Sequence, residues 1–429
     1  EELIDELTGL SGLHVVSRIS SFKFRDTNDN LRTIGDALGV TSLLQGSVRK
    51  SQDDIRITVQ LVDVKSGDNL WSETFDSDHE DIFAIQEQIA SSVAGALGVT
   101  LGVGGVNDFR GAGTRNFAAY EAYLQGNYEL AIQLDPNYAA AWARHGIRIA
   151  AQQWIHPPDK APEIRDRAYT FLRRALELDP DSGRVQGQFA TYIYAQMDWI
   201  RGEELRAKAL SMRRDRPSLT GYANMLLRAG RLRKAQAIDD EFESLERMPN
   251  PPRRIRTSLR IARGDFEAAR NMAAALQGRL RLDAHVLIAL NTGTLDDLRM
   301  ALEAMPDTEP VKAELYVPLL DVLDSPGQAL DVFKAVFADK DNMWPDKYHD
   351  IALLAAYFGD PEFALEVFSH EMPYTTIRFG ALWYPVMSDA RRLPRFKQLI
   401  TDTNLVEYWR AYGWADYCQP LDDEDFVCH

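Results

Sequence analysis

Gly230-Arg231-Leu232-Arg233-Lys234-Ala235, Gly264-Asp265-Phe266-Glu267-Ala268-Ala269 and Gly359-Asp360-Pro361-Glu362-Phe363-Ala364 share one arrangement: a glycine, a short step, and an alanine five residues on. Ala235 and Ala269 stand 34 residues apart, and Leu298 and Ala329 fill the same slot at onward steps of 29, 31 and 35 to Ala364. A period of this length marks stacked helical hairpins. The glycine ends a first helix in a tight turn, and the small residue lets the second helix lie close to its partner. Two earlier hairpins end in Leu134-Asp135-Pro136 and Leu178-Asp179-Pro180, where proline blocks continuation of the helix. These prolines are 44 residues apart, and the insertion QQWIHPPDKAPE at 152–163 takes up the excess. One repeat does not close. Counted from Tyr120, Pro136 arrives about twelve residues early, which fits either a degenerate capping repeat or a piece of chain missing near Gly126 to Ala131.

The first hundred residues follow another pattern. Residues 13–19 (LHVVSRI) suggest a strand, and Asn28–Leu38 a helix that buries Leu31, Ile34 and Leu38 and stops at Gly39. Leu43–Lys50 leads through Ser51-Gln52-Asp53-Asp54 into Ile55, Ile57, Val59 and Leu61, which alternate with Arg56, Thr58 and Gln60. Period two with one polar face predicts a half-buried antiparallel strand. A turn at Lys65-Ser66-Gly67-Asp68 precedes a third strand at Leu70–Phe75, and Ile82, Ile85, Ile89, Val93 and Leu97 form the apolar stripe of a covering helix. Arg49, Asp63, Glu73 and Asp76 fall at strand ends and turns, where solubility explains them, and Trp71 and Phe75 are expected in the core or an interface. Residues 98–114 hold six glycines without helical period or phosphate-loop spacing, so they read as a hinge.

The segments VVSRISSFKF, NLRTIGDALGV, LLQGSVRKSQDDIRITVQLVDVKSGDNLWSETFD and DIFAIQEQIASSVAGAL resemble the TolB-N-like domain of bacterial signalling proteins. The later Gly/Ala pattern resembles a tetratricopeptide (TPR) array. In that family the TolB-N-like domain precedes such repeats in the periplasmic or C-terminal half of membrane-bound winged-helix regulators and adenylate or guanylate cyclases. The resemblance implies an extracytoplasmic setting. Relatives begin with a further strand and helix, and Glu1 falls in what reads as mid-helix, so a longer natural protein is expected. The expected fold is a small α+β domain at 1–97, a linker at 98–114, an all-α TPR-like helical solenoid at 115–390, and a capping helix and tail at 391–429.

Composition narrows the function. No stretch approaches the roughly 20 apolar residues of a membrane helix, so any anchor is expected outside the chain. A net charge of −16 argues against nucleic acid as the main ligand. Residues 201–281 nevertheless carry 19 Lys+Arg against 10 Asp+Glu, either as solvated and locally paired helix faces or as a docking face for an acidic partner. Arg253, Arg254, Arg256 and Arg260 are the candidate basic contacts. Cys418 and Cys428, the only cysteines, can form a disulfide, remain free thiols, or, with His429 alone nearby, join a metal site.

Tyr408, Trp409, Tyr412 and Trp414 are expected to cap the open end of the repeats, with a carbohydrate or peptide platform as the alternative. His14, His79, His145, His156, His285, His349, His370 and His429 show no metal-binding spacing, and no nucleophile motif occurs. His145 falls where packing is its expected role. Asp422-Asp423-Glu424-Asp425 lacks the alternation and glycine of a calcium loop. The sequence therefore predicts no catalytic residue, no cofactor and no metal, and hence no enzyme. It favours a scaffold for protein partners, including a membrane protein complex. A small-solute sensor is the second reading and an enzyme of unrecognised type the third.

Overall fold

The computed structural model describes residues 3–4, 7, 13, 15–16, 18–25, 27–50, 54–78, 82–97, 113–154, 156, 160–212, 214–244, 254–292, 294–306, 311–339, 345–371, 376, 378–422 and 425–429. The chain is mostly helical, with a small three-stranded antiparallel sheet near its N-terminus. It divides into two compact units, one of residues 1–145 with 177–179 and 241–250, the other of 146–176, 180–240 and 251–429.

In the first unit, α1 (Leu31–Leu38) starts at Asn30, whose side chain accepts from the Thr33 amide, and ends at Gly39 in the left-handed region. Strands β1 (Ser42–Lys50), β2 (Asp54–Asp63) and β3 (Asn69–Asp78) pair in the order β1-β2-β3. The register sets Val48 opposite Ile57 and Ile57 opposite Phe75. The alternating side chains Ile55, Ile57, Val59 and Leu61 are thereby buried with Phe75 against Ile85, Ile89 and Val93 of α2 (Ile82–Ala96), and Trp71 packs at the margin of this cluster. The opposite face is polar: Arg56 pairs with Asp76 at 2.5 Å, and the Thr58 and Thr74 hydroxyls lie 3.4 Å apart. Asp63 accepts the Lys65 and Ser66 amides in the second turn, and that hydrogen bonding holds its carboxyl below the usual range.

The strand expected at 13–19 is not formed. Leu13, Val15 and Val16 have no regular structure, and Arg18–Ser21 is a short helical turn. A strand needs a ladder partner for its backbone groups. Leu13 and Val15 instead pack their side chains against the sheet's core. The turn residues 51–53, the linker residues 98–112, His14 and His79 lie outside the described residues.

Helices α3 (Phe117–Leu124) and α4 (Tyr128–Leu134) form a short hairpin, followed by α5 (Ala139–Ala151). Residues 126–131 form a tight turn leading into α4. Gly126 has φ +77°, the Asn127 amide donates to the Ala122 carbonyl, and the Asn127 side chain caps α4.

The chain continues with α6 (Ala161–Leu178), α7 (Gly183–Ala195), α8 (Trp199–Met212), α9 (Arg216–Arg228), α10 (Leu232–Ser244), α11 (Arg254–Ala262) and α12 (Phe266–Ala275). Then come α13 (Gly278–Thr292), α14 (Leu295–Glu303), a π-helical turn at Lys312–Tyr316 running into α15 (Val317–Leu320), α16 (Pro326–Phe337), α17 (Pro345–Tyr357) and α18 (Pro361–Glu371). Pro318 has no amide to donate, and a proline inside a helix favours such a widened turn. The chain closes with α19 (Pro394–Asp402), α20 (Leu405–Tyr412) and a hairpin of β4 (Cys418–Pro420) and β5 (Phe426–Cys428).

The glycine turns share one local mechanism. Gly230 and Gly264 take φ +75°, and Gly359 takes φ +91°. In each case the next amide reaches back five residues: Arg231 to Leu226, Asp265 to Arg260, Asp360 to Ala355, all at 2.9 Å. These bonds satisfy carbonyls that a helix end leaves open. Asp265 and Asp360 then cap the following helix through the Ala268 and Phe363 amides. Ala235, Ala269 and Ala364, with Leu298 and Ala329, are completely buried.

Candidate functional site

Arg231 stands where the other glycine turns have Asp or Asn, so α10 has no cap of its own. The C-terminal segment supplies one. Asp416 accepts the Arg233 backbone amide at 2.7 Å and pairs with the Arg233 guanidinium, while its own amide donates to the Gly230 carbonyl at 2.8 Å. Aromatic donors do the same for helix C-termini. The Trp383 indole donates to Arg228 O at 2.9 Å and that of Trp409 to Ala229 O at 2.8 Å, closing the end of α9. The Tyr417 hydroxyl donates to Ala262 O at 2.7 Å at the end of α11, and the Trp199 indole to Thr403 O at 2.8 Å after α19.

This geometry goes against the alternative of an aromatic platform and against Tyr408, Trp409 and Trp414 as an interaction surface. Tyr408 and Trp409 are completely buried and Trp414 is half-buried beside Trp409 and Phe426. Trp409 spends its indole N–H on the Ala229 carbonyl and Tyr408 its hydroxyl on the Glu203 carboxylate, so neither buried ring can receive a sugar or peptide. The expected basic contacts are corrected likewise. Arg256 is buried against Asp239 at 3.0 Å, and Arg260 is half-buried with Nη1 3.4 Å from Asp265. Arg254 is the first residue of α11, and Arg253 lies outside the described residues. His145 is buried, as its helix position suggested.

Cys418 and Cys428 face each other across β4 and β5 and form a disulfide. Buried Arg391 holds the hairpin from beneath: Nε donates to His429 O at 2.6 Å, Nη1 to the Leu382 and Tyr384 carbonyls, and the guanidinium lies over the Tyr417 ring. Burial lowers its pKa to about 10, so it remains charged at neutral pH. Replacing both cysteines by alanine is expected to cost about 3 kcal/mol, the value for a loop this short. Thermal unfolding of the double variant beside the oxidised protein checks this.

Two polar clusters of the second unit escaped the sequence reading. In the first, Glu203 of α8 is 5% exposed and accepts the Tyr222 hydroxyl at 2.5 Å, the Tyr408 hydroxyl at 3.0 Å and the Lys234 ammonium at 3.2 Å. One carboxylate thus joins α8, α9, α10 and α20. Burial, reinforced by Glu203, pushes both phenols well above their ordinary pKa. In the second, the Tyr316 hydroxyl donates to Asp350 at 2.7 Å, and His349 Nδ1 lies 3.3 Å from the other Asp350 oxygen. Burial would raise the Asp350 pKa, but the His349 and Tyr316 contacts, helped by Arg378, outweigh it and hold the group low. A depressed carboxylate contributes stability above its unfolded pKa and loses it as pH falls through the folded one. The wild-type melting temperature should therefore fall more steeply than that of Asp350→Asn below about pH 4, where an unfolded Asp titrates.

Among the described residues, helices α7 and α9 are buried except along a single stripe each. On α7 the half-buried residues are Arg184, Gln188, Thr191 and Ala195; on α9 they are Thr220, Gly221, Asn224 and Arg228, with Pro217 exposed. This spacing is one helix face. Below it lies Arg206 of α8, only 2% exposed, whose Nη2 donates to the Thr191 hydroxyl at 2.6 Å. A Cβ at Gly187 or Gly221 would stand 3.1 or 2.8 Å from its Nη1, so glycine inside both helices makes room for the guanidinium. Among the described residues Arg206 Nε has no hydrogen-bond partner and no carboxylate lies within ion-pair distance; Glu203 and Asp215 act on it only through longer-range attraction. Among the described residues no group of three or more His, Cys, Asp or Glu could hold a metal ion, and no helix is long and apolar enough to cross a membrane.

No protein-family model matches the chain. Over 219 residues it is 31% identical to "Putative adenylate cyclase 3" of Rhizobium meliloti (strain 1021), an alignment covering 47% of this chain and 36% of that protein. The chain thus spans little more than a third of the relative's length. The relative's name overturns the expectation that the chain is no enzyme, and that expectation is withdrawn.

Proposed function

We propose that the helical region is a protein-binding scaffold of stacked TPR-like hairpins, set behind a TolB-N-like domain. It serves the extracytoplasmic part of a bacterial signalling assembly. The activity of the whole protein is then the cyclase activity for which its relative is named. The observation that carries the binding role is the single open stripe on each of α7 and α9. Helices wrapped on every other side by neighbours leave one continuous face for a guest, as first helices do in stacked hairpins. The repeated glycine turns and the buried alanines at the 34-residue spacing support the same reading.

A photo-crosslinking residue placed at Gln188 or Asn224, in the intact protein in its native membrane, should give adducts with a second protein. The same residue at exposed Lys208 of α8 should not. Equal yields from all three positions, or none from the stripe, would remove the support for a scaffold.

A further inference from the structure

A buried ionic group is normally paired, because an isolated ion is costly to take out of water. Arg206 departs from that rule. Its side chain is 2% exposed, yet among the described residues its one hydrogen bond runs from Nη2 to the Thr191 hydroxyl, and Nε has no partner. Glu203, three residues earlier, has both carboxylate oxygens taken by Tyr222, Lys234 and Tyr408. Nη1 of Arg206 lies in a gap between α7 and α9 that two glycines leave, since a Cβ would stand 3.1 Å from it at Gly187 and 2.8 Å at Gly221. Gly221 is itself half-buried, which brings the gap to the edge of the surface. Asn224 follows Gly221 by one helical turn and Arg228 follows Asn224 by another, both half-buried on the same face of α9. Arg228 reaches across to lie over the Tyr194 ring of α7 at 5.3 Å. The half-buried residues of α7 and α9 include no Asp or Glu.

We propose that the cleft between α7 and α9 seats one small dianionic oxyanion of the phosphate class, with Arg206 Nη1 and the Asn224 amide as donors and Arg228 supplying a second positive charge at the rim. Two guanidinium groups match a dianion in charge, and charge-assisted bonds from guanidinium to phosphate oxygen are among the stronger hydrogen bonds a protein makes. An anion in this place gives the Arg206 cation the counter-ion that the fold withholds, at a point where one added methyl group would meet Nη1. The inference stands apart from the scaffold reading, because it concerns a solute and needs no protein guest.

The test is isothermal titration calorimetry of the full chain with sodium phosphate, against sodium chloride at matched ionic strength. Phosphate should bind saturably at one per chain and raise Tm, and matched chloride should do neither. Acetate, a monoanion, should bind at least about tenfold more weakly than phosphate, as should phosphate to Arg228→Gln and to Asn224→Ala. Gly221→Ala, which leaves every charge in place, should abolish binding by filling the gap. Lys208→Gln, at an exposed position of α8, should change nothing. Glycerol phosphate binding as tightly as inorganic phosphate identifies the phosphate group of an organic solute as the ligand, and its exclusion identifies the free ion. Absence of saturable phosphate binding to the wild type, equal effects of matched chloride, or unchanged affinity in folded Arg228→Gln and Asn224→Ala proteins overturns the proposal. So does a Gly/Glu peptide that binds where phosphate does not.

Discussion

Glu203→Ala is expected to destabilise the second unit by about 3–5 kcal/mol, the range for removing one partner of a buried charged network. The loss has several parts. The Tyr222 and Tyr408 hydroxyls lose their acceptor while remaining in a packed interior. Each buried, unsatisfied donor costs about 1–3 kcal/mol. Lys234, more than a third exposed, can turn to water and contributes least. Glu203→Gln keeps an acceptor for one hydroxyl and should cost clearly less. Chemical denaturation followed by tryptophan fluorescence measures both. A Glu203→Ala penalty below about 1 kcal/mol would show that the carboxylate does not tie the four helices together. In a double-mutant cycle, Glu203→Ala and Tyr408→Phe should be strongly non-additive, as expected of groups in one network.

Trp409→Ala should be as severe, about 3–5 kcal/mol for a buried aromatic cut to a methyl group, with about 1 kcal/mol more for the Ala229 carbonyl left without its donor. The indole touches Trp383, Trp414 and Phe426, so truncation opens a cavity among rings that cannot close around it. Trp409→Phe fills most of that volume but cannot donate. It should lose about 1–2 kcal/mol, the hydrogen-bond part alone. If the two variants melted together, the indole N–H would be the dominant contribution and packing the minor one.

Local chemistry in the chain was legible from sequence. Gly230, Gly264 and Gly359 announce the turns, because only glycine takes a positive φ at low cost, and the alanines five residues on are completely buried. The alternation Ile55, Ile57, Val59, Leu61 places β2 and its buried face correctly. The segment 13–19 carries an equally apolar pattern, yet pairing depends on a neighbouring strand that composition cannot reveal. Arg256 looked like a surface group because it is charged, and the platform alternative for Tyr408 and Trp409 stayed open, because the partners Asp239, Glu203 and Ala229 lie 17, 205 and 180 residues away. Glu203 and Arg206 sit in an ordinary-looking helical run, GEELRAKAL. The available hint was Gly187 and Gly221, glycines inside helices, where the conformational cost calls for a steric reason.

The cap that Asp416 provides for α10 comes from 183 residues downstream. A ribosome releases that aspartate only after nearly all of the helical hairpins have emerged. The α9–α10 hairpin must wait, partly finished, for Asp416 to be made, because long-range closure of this kind is slow and leaves apolar surface open meanwhile. Early termination anywhere before Asp416 would strand a product whose middle is incomplete, making such fragments natural clients of chaperones and quality-control proteases.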